Sequence, residues 1–157
     1  KNAVAKLQKK PEKSIKRRRI CDLSLNISAS LPPEYIPDEK LRIEILKELD
    51  NIQSVKELKK KERDLQDRFG TPPRESTRLI KLFYLKNFLP RLGIIKCQYV
   101  DSYLDCTISD AQKFEKRFKG EGFEVRVMSL KNSRVMLPEN VSKKQDVLEL
   151  LMRISMI

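Results

Sequence analysis

The chain has 157 residues, 39% of them apolar and 36% charged, with 34 Lys or Arg against 22 Asp or Glu, for a net charge of +12. This length is about that of one domain and buries a core without disulfides or metal. No apolar run approaches the roughly 20 residues of a membrane-spanning helix, which leaves a membrane role without support. The first residue is Lys rather than Met and no signal-peptide pattern follows it, so the chain reads as a piece of a longer cytosolic protein.

The charge is concentrated at the start. Residues 1–20 hold nine of the 34 basic side chains and one acid, Glu12, leaving 25 basic against 21 acidic residues in the rest. Asn2 to Gln8 has the pattern of a helix end inherited from a preceding domain, interrupted by Pro11. The arm closes on Lys16, Arg17, Arg18 and Arg19. Such a run either neutralises nucleic-acid phosphates or is simply solvated. From Leu23 to Ser28 apolar and polar residues alternate, which predicts a half-buried strand. Leu31-Pro32-Pro33-Glu34-Tyr35-Ile36-Pro37 predicts an extended connection whose Tyr35 and Ile36 dock on the body.

Pro37-Asp38-Glu39 opens the first predicted helix, with Leu41, Ile45, Leu49 and Ile52 on one apolar face. A second helix starts near Ser54 and turns Val55, Leu58, Leu65 and Phe69 inward. Asp64, Asp67 and Arg68 then fall together beside that stripe, on one exposed edge. Gly70 is the predicted stop. Thr71 is the predicted N-cap of a third helix running from Pro72 to about Leu89, so D-L-Q-D-R-F-G-T-P-P makes a tight helix–turn–helix corner. Leu79, Ile80, Leu82, Phe83, Tyr84, Leu85, Phe88 and Leu89 leave that helix little polar surface, which places it at the centre of the core. Pro90 and Gly93 end it.

Beyond Gly93 the period becomes two. Ile95-Cys97-Tyr99 and Leu104-Cys106-Ile108 predict a hairpin turning at Asp101-Ser102, with Cys97 opposite Cys106. Ser109 and Gln112 form a capping box for a short helix bearing Ala111, Phe114 and Phe118, stopped by Gly120. Phe123-Val125-Val127 and Val135-Leu137 predict a second hairpin turning near Lys131-Asn132-Ser133. Ser142 and Gln145 cap a last helix presenting Val147, Leu151 and Ile154. The fold class is α+β: an N-terminal extended arm, a three-helix segment, then a β-β-α-β-β-α antiparallel sheet with helices on one face.

Chemistry-bearing patterns are sparse. Cys21, Cys97 and Cys106 lack CxxC spacing and there is no histidine, which argues against a zinc site and against His-dependent catalysis. In a cytosolic protein the three thiols read as buried small hydrophobes. No glycine-rich phosphate loop is present, so no catalytic, cofactor-binding or metal-binding residue is expected and the chain does not read as an enzyme.

Leu31 to Pro37 followed by Asp38-Glu39-Lys40-Leu41-Arg42, then Asp64-Leu65-Gln66-Asp67-Arg68-Phe69-Gly70, then Leu92-Gly93-Ile94, resemble the C-terminal domain of the bacterial transcription-repair coupling factor. The likeness is strongest from about Leu31 to Ile94. It implies that residues 31–157 form that domain and that residues 1–30 are a basic arm or linker, with a possible strand, from an upstream motor. The parent would be a large cytoplasmic ATP-driven DNA translocase that removes stalled RNA polymerase and recruits nucleotide-excision repair, its ATP and Mg sites lying upstream. The domain itself would be autoinhibitory, docking on the UvrB-like N-terminal module of the same protein and hiding the surface that binds UvrA. The family's contact residues are the acid, the Asp and the Arg of an E-L-x-D-R-F-G motif, which carry over to Asp64, Asp67 and Arg68. Asp64 stands where the family has Glu, one methylene shorter. Two readings of this edge remain open, a partner contact and an ordinary i,i+4 ion pair on a solvated helix face. A nucleic-acid-binding module using Lys16, Arg17, Arg18 and Arg19 is the competing function.

Overall fold

A computed structural model describes residues 19–137 and 144–156. Strand β1 (Asp22–Ser24) leads through an extended segment to helices α1 (Glu39–Leu49), α2 (Val55–Phe69) and α3 (Arg74–Phe88). A 3₁₀ turn (Leu89–Leu92) then enters β2 (Ile94–Val100), β3 (Tyr103–Ile108), α4 (Ala111–Gly120), β4 (Glu124–Ser129), β5 (Asn132–Met136) and α5 (Lys144–Ser155). The five strands form one sheet in the order β1-β2-β3-β5-β4. Four of them pair antiparallel as predicted, while β1 joins β2 parallel, so the sheet is mixed.

α3 is the organising element. From Glu75 through Pro90 no residue is fully exposed, and Ile80, Tyr84, Leu85 and Leu89 are buried. α2 packs on one side of it and α5 on another. Val147, Leu148, Leu150, Leu151, Met152 and Ile154 of α5 are all buried, and Lys81 of α3 pairs with Glu149 at 2.8 Å. The predicted Ser142–Gln145 cap lies outside the described residues and side chains. On the sheet, Cys97, Leu104, Cys106, Ile108 and Val135 face the core with Phe114 and Phe118 of α4. Neighbouring positions such as Lys96, Gln98, Glu124 and Arg126 are exposed on the uncovered face.

The N-terminal segment is a strap along this body. Cys21, Leu23 and Leu25 are buried, keeping the predicted alternation although only three residues pair as a strand. Asn26, at φ 56°, takes a left-handed turn that carries the chain off the sheet edge. The strap then follows α3: Ser30 N–H donates to the Glu75 carbonyl, the Ser76 hydroxyl to the Ser30 carbonyl and Arg78 to the Ser28 carbonyl. Ile36 is fully buried and Tyr35 docks beside it, as the sequence predicts.

Several local expectations are corrected. α3 does not start at Pro72 under a Thr71 cap; it starts at Arg74, with Pro73 at the N-cap position and no side-chain cap. A residue preceding proline is pushed out of the helical region, so Pro73 forbids helical backbone at Pro72 and delays the start. The α4 cap is Asp110, whose carboxylate accepts from Lys113 N–H, not Ser109. Ser109 is drawn away to the sheet, donating from both N–H and hydroxyl to the Gly93 carbonyl. α4 does end at Gly120 as predicted, with the left-handed turn out of the helix at Gly122 (φ 88°). A bulge between Ile94 and Lys96 turns Ile94 inward and leaves Ile95 51% exposed, against the expectation that Ile95 shares a face with Cys97. Val127, expected on the core face of the second hairpin, is 51% exposed because β4 is the edge strand beyond β5.

Candidate partner-binding edge

The edge is built by α2. Ser54 caps the helix by accepting from Glu57 N–H while the Glu57 carboxylate accepts from Gln53 N–H, a reciprocal cap that fixes the start. Leu58 and Leu65 bury one side, which commits the opposite side to solvent. Gly70 ends the helix at φ 86°, a backbone that side-chain-bearing residues resist.

Asp64, Asp67 and Arg68 lie on that outer side, as predicted. Asp64 and Arg68 carry side chains 43% and 41% exposed and approach to 3.5 Å, the i,i+4 pair of the plainer reading. Lys61 approaches Asp64 at 4.0 Å and also bridges to Glu48 of α1. Asp64 is thus engaged from both sides. Asp67 is exposed and makes no ion pair among the described residues, so its charge is the one free for a partner. The Arg68 guanidinium lies 5.0 Å from the centre of the Phe69 ring. An arginine stacked on an aromatic face is held out from the helix at reduced entropic cost.

Tyr35 holds the end of this helix. Its hydroxyl meets two carbonyl oxygens, Leu65 at 3.1 Å and Gly70 at 2.8 Å, and its ring meets Phe69 edge-on at 5.9 Å. Burial raises the Tyr35 phenol above its ordinary pKa, so it remains a donor at neutral pH. The sequence predicts that Tyr35 docks but gives no sign that its hydroxyl closes the α2 C-terminus, because the two acceptors are backbone atoms 30 and 35 residues away. Lys61 and Glu48 were likewise missed, being ordinary charged residues whose pairing depends on how α1 and α2 pack. Together with Asn51, Ile52, Glu57, Lys60 and Asp64 they line a groove of about 390 Å³ between the two helices.

Of the basic run, Lys16, Arg17 and Arg18 lie outside the described residues. Arg19 is described and exposed. Cys97 faces Cys106 as predicted, Sγ to Sγ 3.7 Å, both buried. Their mutual contact and burial push the Cys97 thiol up, and burial does the same to Cys21, so neither is an activated nucleophile. Among the described residues no group of His, Cys, Asp or Glu is arranged to hold a metal ion, and no helix is long and apolar enough to cross a membrane.

Comparison with known proteins matches residues 25–118 to the TRCF domain family. A transcription-repair-coupling factor of Staphylococcus haemolyticus is 30% identical over 139 residues, covering 84% of this chain and 12% of that protein. One from Helicobacter pylori strain J99 is 29% identical over 106 residues, covering 68% of this chain and 10% of that protein. The chain therefore spans about a tenth of the length of these curated relatives. The crystal structure of the C-terminal domain of a transcription-repair coupling factor superposes with a TM-score of 0.76 at 23% identity, over 89% of this chain and 92% of that one. At that identity the likeness shows the α+β fold.

Proposed function

This chain belongs to the TRCF domain family, and from that membership we propose that it is a regulatory interaction domain of a cytoplasmic, ATP-dependent DNA translocase coupling transcription to nucleotide-excision repair. Its work is binding rather than chemistry. Through Asp64, Asp67 and Arg68 it docks on the UvrB-like module of the same protein and masks the surface that receives UvrA. RNA polymerase, ATP, Mg and the DNA being translocated are engaged by the motor and other parts of that protein.

The observation that carries this reading is the inequality within the edge. Asp64 is already paired to Lys61 and Arg68, whereas Asp67 stands exposed without an ion pair among the described residues, on a helix end fixed by Tyr35 and Gly70. An exposed pair alone contributes about 0–1 kcal/mol, so the edge must act as a set that the partner partly desolvates. Replacing Asp64, Asp67 and Arg68 together with alanine should preserve the fold, weaken association with the isolated UvrB-like module and increase UvrA binding by the full-length protein. Wild-type values in both measurements, with the fold intact, would reduce the edge to a solvated helix face.

A further inference from the structure

The outer face of α4 carries Lys113, Lys116 and Arg117 at i, i+3 and i+4, opposite the buried Phe114 and Phe118. None of the three cations makes an ion pair among the described residues, although Lys119 on the same helix pairs with Glu115 at 2.8 Å. Like charges at this spacing repel, and no ion pair among the described residues offsets that repulsion. With Leu92, Gly120 and a single acid, Glu121, these residues line an open groove of about 380 Å³ between the 3₁₀ turn and α4. Arg117 is half-buried, and its Nε is withdrawn from solvent with no acceptor. A buried guanidinium N–H is costly to leave unmatched, and an oxyanion entering the groove is the acceptor whose charge also quiets the triad.

We propose that this groove, formed by Lys113, Lys116 and Arg117, binds the phosphodiester backbone of nucleic acid. The basic composition of the sequence leading into Arg19 favours phosphate over a carboxylate-bearing protein. Arg19, the first described residue, lines a hollow with Pro90, Gly93, Ile94 and Ser109, so the same 3₁₀ turn contributes to both the hollow and the groove. Residues 1–18, which precede Arg19 in the chain, hold eight more Lys or Arg against Glu12 alone. The groove holds no element that reads base edges, so the binding is independent of sequence and governed by counterion release. It goes beyond the docking edge on α2, with which it shares no residue.

The test measures binding of a short fluorescent duplex DNA to the whole chain by anisotropy across a salt series. Each phosphate contact contributes about 0.9 to the log–log salt slope. The variant with Lys113→Gln and Lys116→Gln should lose about 1.8 from that slope, and the variant that adds Arg117→Gln about 2.7. The double variant keeps the half-buried arginine, so it reports on the groove even if the triple variant fails to fold. A control with Lys40→Gln, Lys47→Gln and Lys56→Gln removes the same charge from exposed positions on or beside α1 and α2 and should leave the slope unchanged. The proposal is overturned if the wild-type chain binds no DNA at low salt, or if the control lowers the slope as much as the groove variants. Equal competition by polyglutamate of matched charge would also overturn it, in favour of an acidic protein partner.

Discussion

At the scale of single residues the docking edge depends on a tyrosine outside it. Tyr35 reaches from the strap to two carbonyls at the end of α2, that of Leu65 near its last turn and that of Gly70 at its C-cap. Tyr35→Phe keeps the ring against Phe69 and removes only the hydroxyl, so it should cost about 1 kcal/mol in chemical denaturation. Amides at the α2 end should exchange faster while those of α3 do not change. Unchanged exchange around Gly70 would mean that the glycine corner is rigid without the tyrosine. Glu62 is a different case. Burial raises its pKa above 4.5, with Glu149 adding to the rise and Lys81 and Lys59 opposing it. The folded state therefore holds a proton that the unfolded chain has already released, and stability falls as pH rises from about 4.5 through the folded-state value. Glu62→Gln should abolish that fall. A variant whose denaturation midpoint tracks the wild type across this pH range would show that the Lys81 and Lys59 charges cancel the burial effect.

At the scale of elements, the β2–β3 hairpin explains why the thiols are quiet. Asp101, at φ 52°, makes the two-residue connection that sets Val100 opposite Tyr103, and the register then fixes Cys97 opposite Cys106. Both sulfurs point into the core, and the contact with Cys106 together with burial disfavours the Cys97 thiolate that would react. In the native protein both should label slowly with a thiol reagent, and at full speed once the chain is unfolded. Rapid labelling of Cys97 and Cys106 under native conditions would contradict this register. The pairing of α1 with α3 is fixed by one polar group: buried Asn87 donates to the Asp50 and Ile52 carbonyls, closing the α1–α2 connection. Its side-chain amide replaces the backbone donors that a tight turn between helices cannot supply.

At the scale of the whole molecule, the strap belongs to the core. Leu25 is 2% exposed and sits in the same apolar cluster as Ile80 and Tyr84 of α3. Leu25→Ala should cost about 2–5 kcal/mol, as truncation of a central leucine does, within a single unfolding transition. A separate early transition, or a loss below about 1 kcal/mol, would mean that the segment before α1 is an attachment to an independent body. Because the strap joins β1 at one end to the Tyr35 clasp at the other, the α2 edge and the sheet edge are parts of one packed unit.

Much of this was determined by the sequence alone. Periodicity placed the five described helices and both hairpins, though not the caps of α3 and α4, because amphipathic spacing and turn chemistry are local properties that neighbouring residues settle among themselves. The D-L-Q-D-R-F-G stretch likewise put Asp64, Asp67 and Arg68 on one edge before any packing was considered. What only the tertiary structure decided were matters of choice among partners. Ser109 could cap a helix or bond Gly93, and the turn just before β2 took it, leaving Asp110 to cap α4. Val127 alternates like a buried residue, but at the sheet's edge it lacks cover. Asp64 already differs from Asp67 in the chain by its i,i+4 arginine; Lys61, itself bridged to α1, widens the difference by approaching Asp64 and leaving Asp67 exposed. Such assignments rest on contacts between residues far apart in sequence, where competing partners are separated by only a fraction of the energy that sets the pattern itself.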